Sequence, residues 1–488
     1  MQILYTIYLI LICTVLPIYM KDGYYELGEA KAICYVLVSA PFAALMLLNM
    51  IFSKDKKQST NSEDVSKAKS IIVPEFFLYG TVFSMLISFA FSIDKKIALL
   101  GFEGWRNGLL VSVIAILFCI LFSQKECKID GKVLAVLMIV PFLEAILSIL
   151  NRFSVFPLVI NGQNTSFLAT IGNINWFSGF LSIWAPLGIG IMYLQKNFSW
   201  KFWINGLYTI VMLLSLMLQG SDGAVLILIG AYGLLLFWSL SDRDSFKRFL
   251  IQLVVLGLSM TIVDVVMLFA GSAYTYDNNI LISLCEAHIG MILVAAAFFI
   301  YRVCRLLEEI KATFRGTIYK WIYVAALLAG ITYAVAMAVM GFGDEFGNGR
   351  GIIYRMCADL YMNLSPWQQL VGIGQDCLYP YAMKDAMWSS SFRNVFGDIA
   401  LTNAHCEFLT ILIERGMIGA ALYVGLFVSA IFQLFKVKEK EPKAVALGLP
   451  IISYFVYNQI SFQQIMAMPY CYILLGMGIY LGKLRNRD

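Results

Sequence analysis

Apolar residues in this chain fall in long runs separated by short polar stretches. A helix needs about 20 mostly apolar residues to cross the hydrocarbon core of a bilayer. Runs of that kind lie at 3–20, 32–53, 71–93, 108–123, 133–150, 176–194, 204–219, 224–240, 249–270, 280–301, 321–342, 416–435, 444–461 and 463–482. Together they predict an all-α integral membrane protein of about 14 transmembrane helices. Barrel strands would alternate in hydrophobicity and be half as long, so a β-barrel is excluded. Lipid offers the backbone no hydrogen-bond partner, so each run is expected to be helical. Ile3–Met20 lacks a basic start and a small-residue cleavage site, and is read as the first span rather than a signal peptide.

Composition agrees. Apolar residues make up 60% of the 488 residues, charged ones 14%, and mean hydropathy is +0.78. A soluble domain is nearer half apolar and a quarter charged. A soluble enzyme, a disordered chain and a disulfide miniprotein are thereby excluded. The net charge of +5 gives no argument for nucleic acid. Ten Cys occur without a CxxC pair and there are only two His, so neither a metal cluster nor a cofactor is expected. No internal repeat is evident.

Lysine and arginine set the orientation. With both termini in the cytoplasm, segments 54–70, 124–132, 195–203, 241–248, 302–320, 436–443 and 483–488 lie inside and hold 25 of the 36 basic residues. Lys54–Ser70 reads as a flexible charged linker. The chain then divides into membrane helices over 1–342, a large extracytoplasmic loop over 343–405, and an interfacial helix with the last three spans over 406–488. The large loop is rich in Trp, Tyr, Asn, Ser, Asp and Arg with Gly turns. Loops of this length are usually functional or disordered, and this one is too aromatic for disorder. A shorter outer stretch covers Asn151–Asn175.

Several outer residues carry candidate chemistry. His405, in LTNAHCEFLTILIERGMIG, either exchanges a proton with a substrate or packs at a helix start. Asn403 suits the N-cap of that helix. Leu409, Ile413 and Ile418 form the apolar stripe of an interfacial helix before a span begins at Gly416. In Gly347–Leu360, Arg355 and Asp359 are spaced to pair at i, i+4. Arg350 has no acid in that position. It either binds phosphate through its fork of donors or forms a rim salt bridge with Asp344 or Glu345. Gly372–Gly374 makes a turn that lets the backbone approach a ligand or lets the loop fold back. Asp222, in the turn Gln219–Gly223, is a site carboxylate or a turn residue. Arg106 and Arg152 face outward, for a phosphate or for lipid headgroups. His288 and Glu286 share the tenth run, as a proton relay or a helix–helix contact.

Four stretches together resemble the O-antigen ligase and polymerase family of polytopic membrane glycosyltransferases. The clearest is NAHCEFLTILIERGMIG, similar to that family's His signature, with His405, Phe408, Leu409, Glu414, Gly416 and Gly419. The others are Arg350 with Ile-Ile-Tyr, the GIGQ turn, and Gly172–Leu187 (GNINWFSGFLSIWAPL), which contains Asn175. The likeness covers residues 100–480 loosely. Two departures stand out. The family usually has Ser-Arg-Gly where this chain has Ser221-Asp222-Gly223, and Asn where it has Cys406. Either Arg106, Arg152 or Arg355 replaces the missing arginine, or the donor differs, or activity is impaired.

The resemblance implies an inverting, metal-independent transfer of glycan at the outer face of the bacterial cytoplasmic membrane. The donor would be a glycan on undecaprenyl diphosphate and the acceptor a glycan or lipid. His405 and Arg350 would be catalytic. Arg355, Arg106, Arg152, Asp222, Glu414 and Asn175 would bind substrate. The rival expectation is a flippase or transporter of polysaccharide or lipid-linked oligosaccharide. That would show paired halves and charges buried mid-span. No half-to-half symmetry is visible, and the span interiors are poor in charge apart from Glu75, Glu144 and Glu286.

Overall fold

The apolar runs fold largely as helix, which satisfies the backbone internally where neither water nor polar side chains are at hand. The computed structural model describes residues 1–58, 72–341 and 343–485. Of the linker expected at 54–70, residues 54–58 continue the second helix and the rest lies outside the described residues.

The elements run α1 (Gln2–Ile18), α2 (Leu27–Gln58), α3 (Val73–Ala90), α4 (Lys95–Leu100), α5 (Leu109–Gln124) and α6 (Gly131–Arg152). A two-residue antiparallel pair follows, β1 (Phe167–Leu168) and β2 (Gly172–Asn173). Then come α7 (Ile174–Leu194), α8 (Trp200–Leu218), α9 (Ala224–Ser239), α10 (Arg243–Ala270), α11 (Ile280–Glu286), α12 (Ile289–Glu309) and α13 (Gly316–Gly341). Four shorter helices are α14 (Phe346–Met362), α15 (Pro366–Val371), α16 (Leu378–Lys384) and α17 (Ala386–Phe396). The chain closes with α18 (Glu407–Val437), α19 (Lys443–Tyr457) and α20 (Met468–Arg485). Among the described residues, eight helices are long and apolar enough to cross a membrane: α2, α3, α6, α7, α8, α10, α12 and α18.

Three expected runs fold differently. Residues 280–301 break into α11 and α12 at His288, which takes φ +58. His288 Nδ1 meets Asp264 Oδ2 at 2.6 Å, while Glu286 accepts from Asn278, so the expected His288–Glu286 pair does not form. The runs 444–461 and 463–482 end and begin further apart, leaving 458–467 non-helical. Asn458, Ser461, Gln463 and Gln464 are buried there, and their polar groups draw the chain out of helix.

The core is centred on α7, which is buried almost all round and packs against α8, α9 and α19. Around it α18 lies on α3 and α20 on α5. At the edge, α10 and α12 pair and turn large apolar side chains such as Phe269, Phe298 and Phe299 outward. The charges expected within spans have partners. Glu75 pairs with Lys483. Glu144 accepts from the Thr170 amide and hydroxyl, and Lys31 Nζ is held by the carbonyls of Leu16 and Pro17.

The two ends of the bundle differ in chemistry. One gathers basic contacts: Lys443 with Glu126 (3.4 Å), Lys483 on the Ser123 carbonyl (3.0 Å) and Lys247 with Glu308 (3.0 Å). At the other end, α14–α17 build a second core. Cys357, Leu360, Ile373, Cys377, Leu378 and Phe392 are buried together with Ala98 of α4 and Ile413 of α18. Residues 343–406 are therefore a folded helical cap.

Candidate functional site

The site forms where the cap meets the start of α7. The Asn173 side chain accepts from the Asn175 amide at 2.8 Å and caps α7. This fixes Asn175 in the first turn. Its backbone carbonyl accepts from Tyr457 Oη (2.9 Å) and Gln464 Nε2 (3.0 Å), so the end of α19 and the 458–467 loop hold it too. Its side-chain oxygen accepts from Arg350 Nη2 at 3.4 Å. Among the described residues Arg350 forms no ion pair. Asp344, its expected rim partner, pairs instead with Arg355 at 2.6 Å. Asp359, expected to pair with Arg355 along the helix, does not.

His405 sits just before α18, in the left-handed region with φ +48. A non-glycine residue rarely adopts this conformation, and such strain persists only where neighbours hold it. Here the Asn403 side chain accepts from the His405 amide (3.0 Å), an Asx turn. Tyr354 Oη donates to the His405 carbonyl (3.2 Å). Asn403 thus shapes the histidine's turn; the N-cap of α18 is Cys406. The imidazole stands edge-on to Phe462, 5.4 Å between centroids and at 89°. Phe462 leans on Trp105 and Trp105 on Trp176, which continues an aromatic wall. Among the described residues the ring nitrogens of His405 form no hydrogen bond. Burial, and then the Arg350 charge, push its pKa from 6.5 down to about 4. The imidazole is therefore neutral at physiological pH, with a guanidinium beside it.

His405, Arg350 and Asn175 thus come together from three distant parts of the chain. The other expected site residues have different surroundings. Arg106 Nε is shared between both carboxylate oxygens of Glu29, at 2.8 and 2.7 Å. Arg152 is buried over the Tyr276 ring and donates to the carbonyls of Gln219 and Thr165. It brings its cation to the Gln219–Gly223 turn, the place where the family resemblance expects an arginine, yet its donors are taken by backbone. Asp222 Oδ1 accepts from the Ile280 amide (2.8 Å) near the start of α11.

Glu414 is buried beside Arg415, on the far side of the Gly372–Gly374 turn. That turn folds the cap back. A Cβ on Gly372 would collide with the Glu414 carbonyl oxygen, and one on Gly374 would collide with Ser92 Cβ. The turn serves backbone packing against α18, where Gly416 (φ +70, ψ −178) interrupts the helix. Asp376, just after the turn, accepts from the amides of Phe102 and Asn107, and burial raises its pKa.

The wall residues Trp105, Trp176 and Phe462, and the supports Tyr354, Tyr457 and Gln464, were not legible as site residues. One signal existed: the polar string NQISFQQ at 458–464 lies between two apolar runs too close for an ordinary turn. Among the described residues, no group of three or more His, Cys, Asp and Glu is arranged to hold a metal. Comparison with family models and with curated proteins gives no match for this chain.

Proposed function

We propose that this chain is a membrane glycosyltransferase of the O-antigen ligase or polymerase type. In this reading it has 14 spans with both termini in the cytoplasm of a bacterium, and the cap and His405 face outward. The donor is a glycan on a polyprenyl diphosphate, and the acceptor is a glycan or lipid. One observation carries the reading: among the described residues, a neutral imidazole whose ring nitrogens make no hydrogen bond lies within the field of a guanidinium that has no carboxylate partner.

The chemistry follows from that pair. An acceptor hydroxyl oxygen attacks the anomeric carbon of the donor sugar from the face opposite the diphosphate. The bond from that carbon to the diphosphate oxygen breaks, and its electron pair leaves with the polyprenyl diphosphate. The hydroxyl proton passes to His405. Arg350 faces the growing negative charge on the leaving group, in a site walled by Phe462 and Trp105 where such interactions are strong. Binding the diphosphate also offsets the Arg350 charge that disfavours imidazolium, so the base strengthens once the donor is in place.

The test is His405→Ala in cells that make the surface glycan. Transfer should fall by roughly 100-fold or more, with lipid-linked donor accumulating and the protein still inserted in the membrane. Normal glycan with the variant would overturn the proposal. When the protein is lost, a lone repeat at the surface marks a polymerase, and long polymer stalled on its carrier marks a ligase.

A further inference from the structure

The basic end of the bundle, opposite the cap, holds a second arrangement unrelated to His405. Lys320, near the start of α13, and Lys438, the C-cap of α18, both donate to Ser241 Oγ, at 2.8 and 3.1 Å. Ser241 gives its own proton to the Trp238 carbonyl (3.0 Å), so both ammonium groups face one hydroxyl oxygen. Like charges gathered this way repel unless an anion lies between them. The acids at hand, Glu439 and Asp242, offset this repulsion only in part. Glu439 reaches Lys438 at 3.4 Å but is 75% exposed. The Asp242 carboxylate is occupied by the amide and hydroxyl of Ser245.

Directly beside the lysines is an apolar cavity of about 300 Å³ between α9, α18 and α19. Phe237 and Phe435 line it, and the same two rings lie under the lysines. Lys320 is 5.8 and 5.2 Å from their centroids, and Lys438 is 5.8 Å from Phe435. Val428 and Phe432, which also line the cavity, are exposed on the outer surface of α18. A cationic pair thus sits at the head of an apolar slot that opens sideways on a helix surface.

We infer that this is a binding site for an anionic phospholipid. The headgroup phosphate lies between Lys320 and Lys438, replacing their shared contact with Ser241, and an acyl chain fills the slot over Phe237 and Phe435. Basic pockets between helices at the cytoplasmic side of a membrane are suited to such headgroups. The partially buried lysines give the phosphate two charges, and the aromatic slot supplies the apolar contact that a free phosphate ion would not use.

The experiment uses the full-length protein in nanodiscs of phosphatidylcholine alone or with phosphatidylglycerol, and in detergent with inorganic phosphate. Phosphatidylglycerol should raise the melting temperature of the wild type. Lys320→Gln with Lys438→Gln should weaken that lipid's binding roughly 30-fold, near a factor of five per lysine. Lys320→Arg with Lys438→Arg should retain it, which separates lost charge from damaged packing. An equal response in the glutamine variant, or full stabilisation by inorganic phosphate in detergent, would overturn the inference.

Discussion

Arg350 and Asn175 lie 175 residues apart in sequence, yet the guanidinium Nη2 donates to the Asn175 side-chain oxygen at 3.4 Å. This one contact joins the cap to the central helix α7. Among the described residues it also leaves most of the guanidinium fork unspent, in a position that the cap helix α14 sets from one side and the capped start of α7 from the other.

Arg350→Lys keeps the charge and loses the planar fork. Transfer should drop at least about tenfold, because two phosphate oxygens can no longer be gripped in parallel. Measured rates in membranes with a lipid-linked donor decide this, and a fully active lysine variant would reassign Arg350 to headgroup anchoring.

The pH profile of kcat/KM, which reports the donor-free protein, should lack an acid limb near 6.5. Burial and Arg350 hold His405 near pKa 4, so its base form persists to roughly pH 5. The unfolded chain binds that proton at about 6.5, so the unfolded state holds more protons between the two values. This residue's contribution to stability therefore declines as pH falls through that window. Measuring kcat/KM from neutral to acid pH checks the first statement, and an inflection at 6.5 or above contradicts it. Arg350→Gln should move any acid limb upward.

Asn403→Ala removes the acceptor that holds His405 in its left-handed turn. A hydrogen bond of this kind contributes about 1 kcal/mol. The expected outcome is a clear loss of transfer with little change in melting temperature. Asn403→Asp, which keeps the acceptor, should recover much of the rate.

Gly372→Ala should cost stability rather than chemistry. The residue has φ +84, and its new methyl group would collide with the Glu414 carbonyl. Strained backbone plus a clash of this size belongs among the severe single substitutions, about 3 kcal/mol or more. Thermal unfolding in detergent should show it.

Arg355→Ala is the contrasting case. Its pair with Asp344 is exposed on both sides, and exposed pairs contribute about 0–1 kcal/mol. Near-normal stability and transfer are expected. A loss comparable to that of Arg350→Lys would give Arg355 a role in binding the substrate.

The helices were readable because lipid and core both demand apolar side chains, and most runs fold within a few residues of where hydropathy puts them. The break at His288 was not, since a left-handed residue between two apolar stretches leaves no mark on composition. Within the site, His405 and Arg350 stood out as rare polar types in a long polar segment between apolar runs. Phe462 and Trp176 did not, because an aromatic residue in a membrane sequence reads the same in a cleft wall as in a lipid-facing belt. Arg106, Arg152 and Arg355 looked alike in sequence. Their acids and carbonyls come from Glu29, Gln219, Thr165 and Asp344, distances along the chain that no local pattern encodes.

The interruption of α18 at Gly416 deprives the preceding carbonyls of their usual helical donors. The Ile413 and Glu414 oxygens are taken up instead by the amides of Ile373 and Gly374 and by the Ser88 hydroxyl. Part of a helix long and apolar enough to cross a membrane is thus completed by main chain from the cap. The cap cannot be excised or exchanged as a module, and α18 reaches its final shape only after residues 372–374 have folded back onto it.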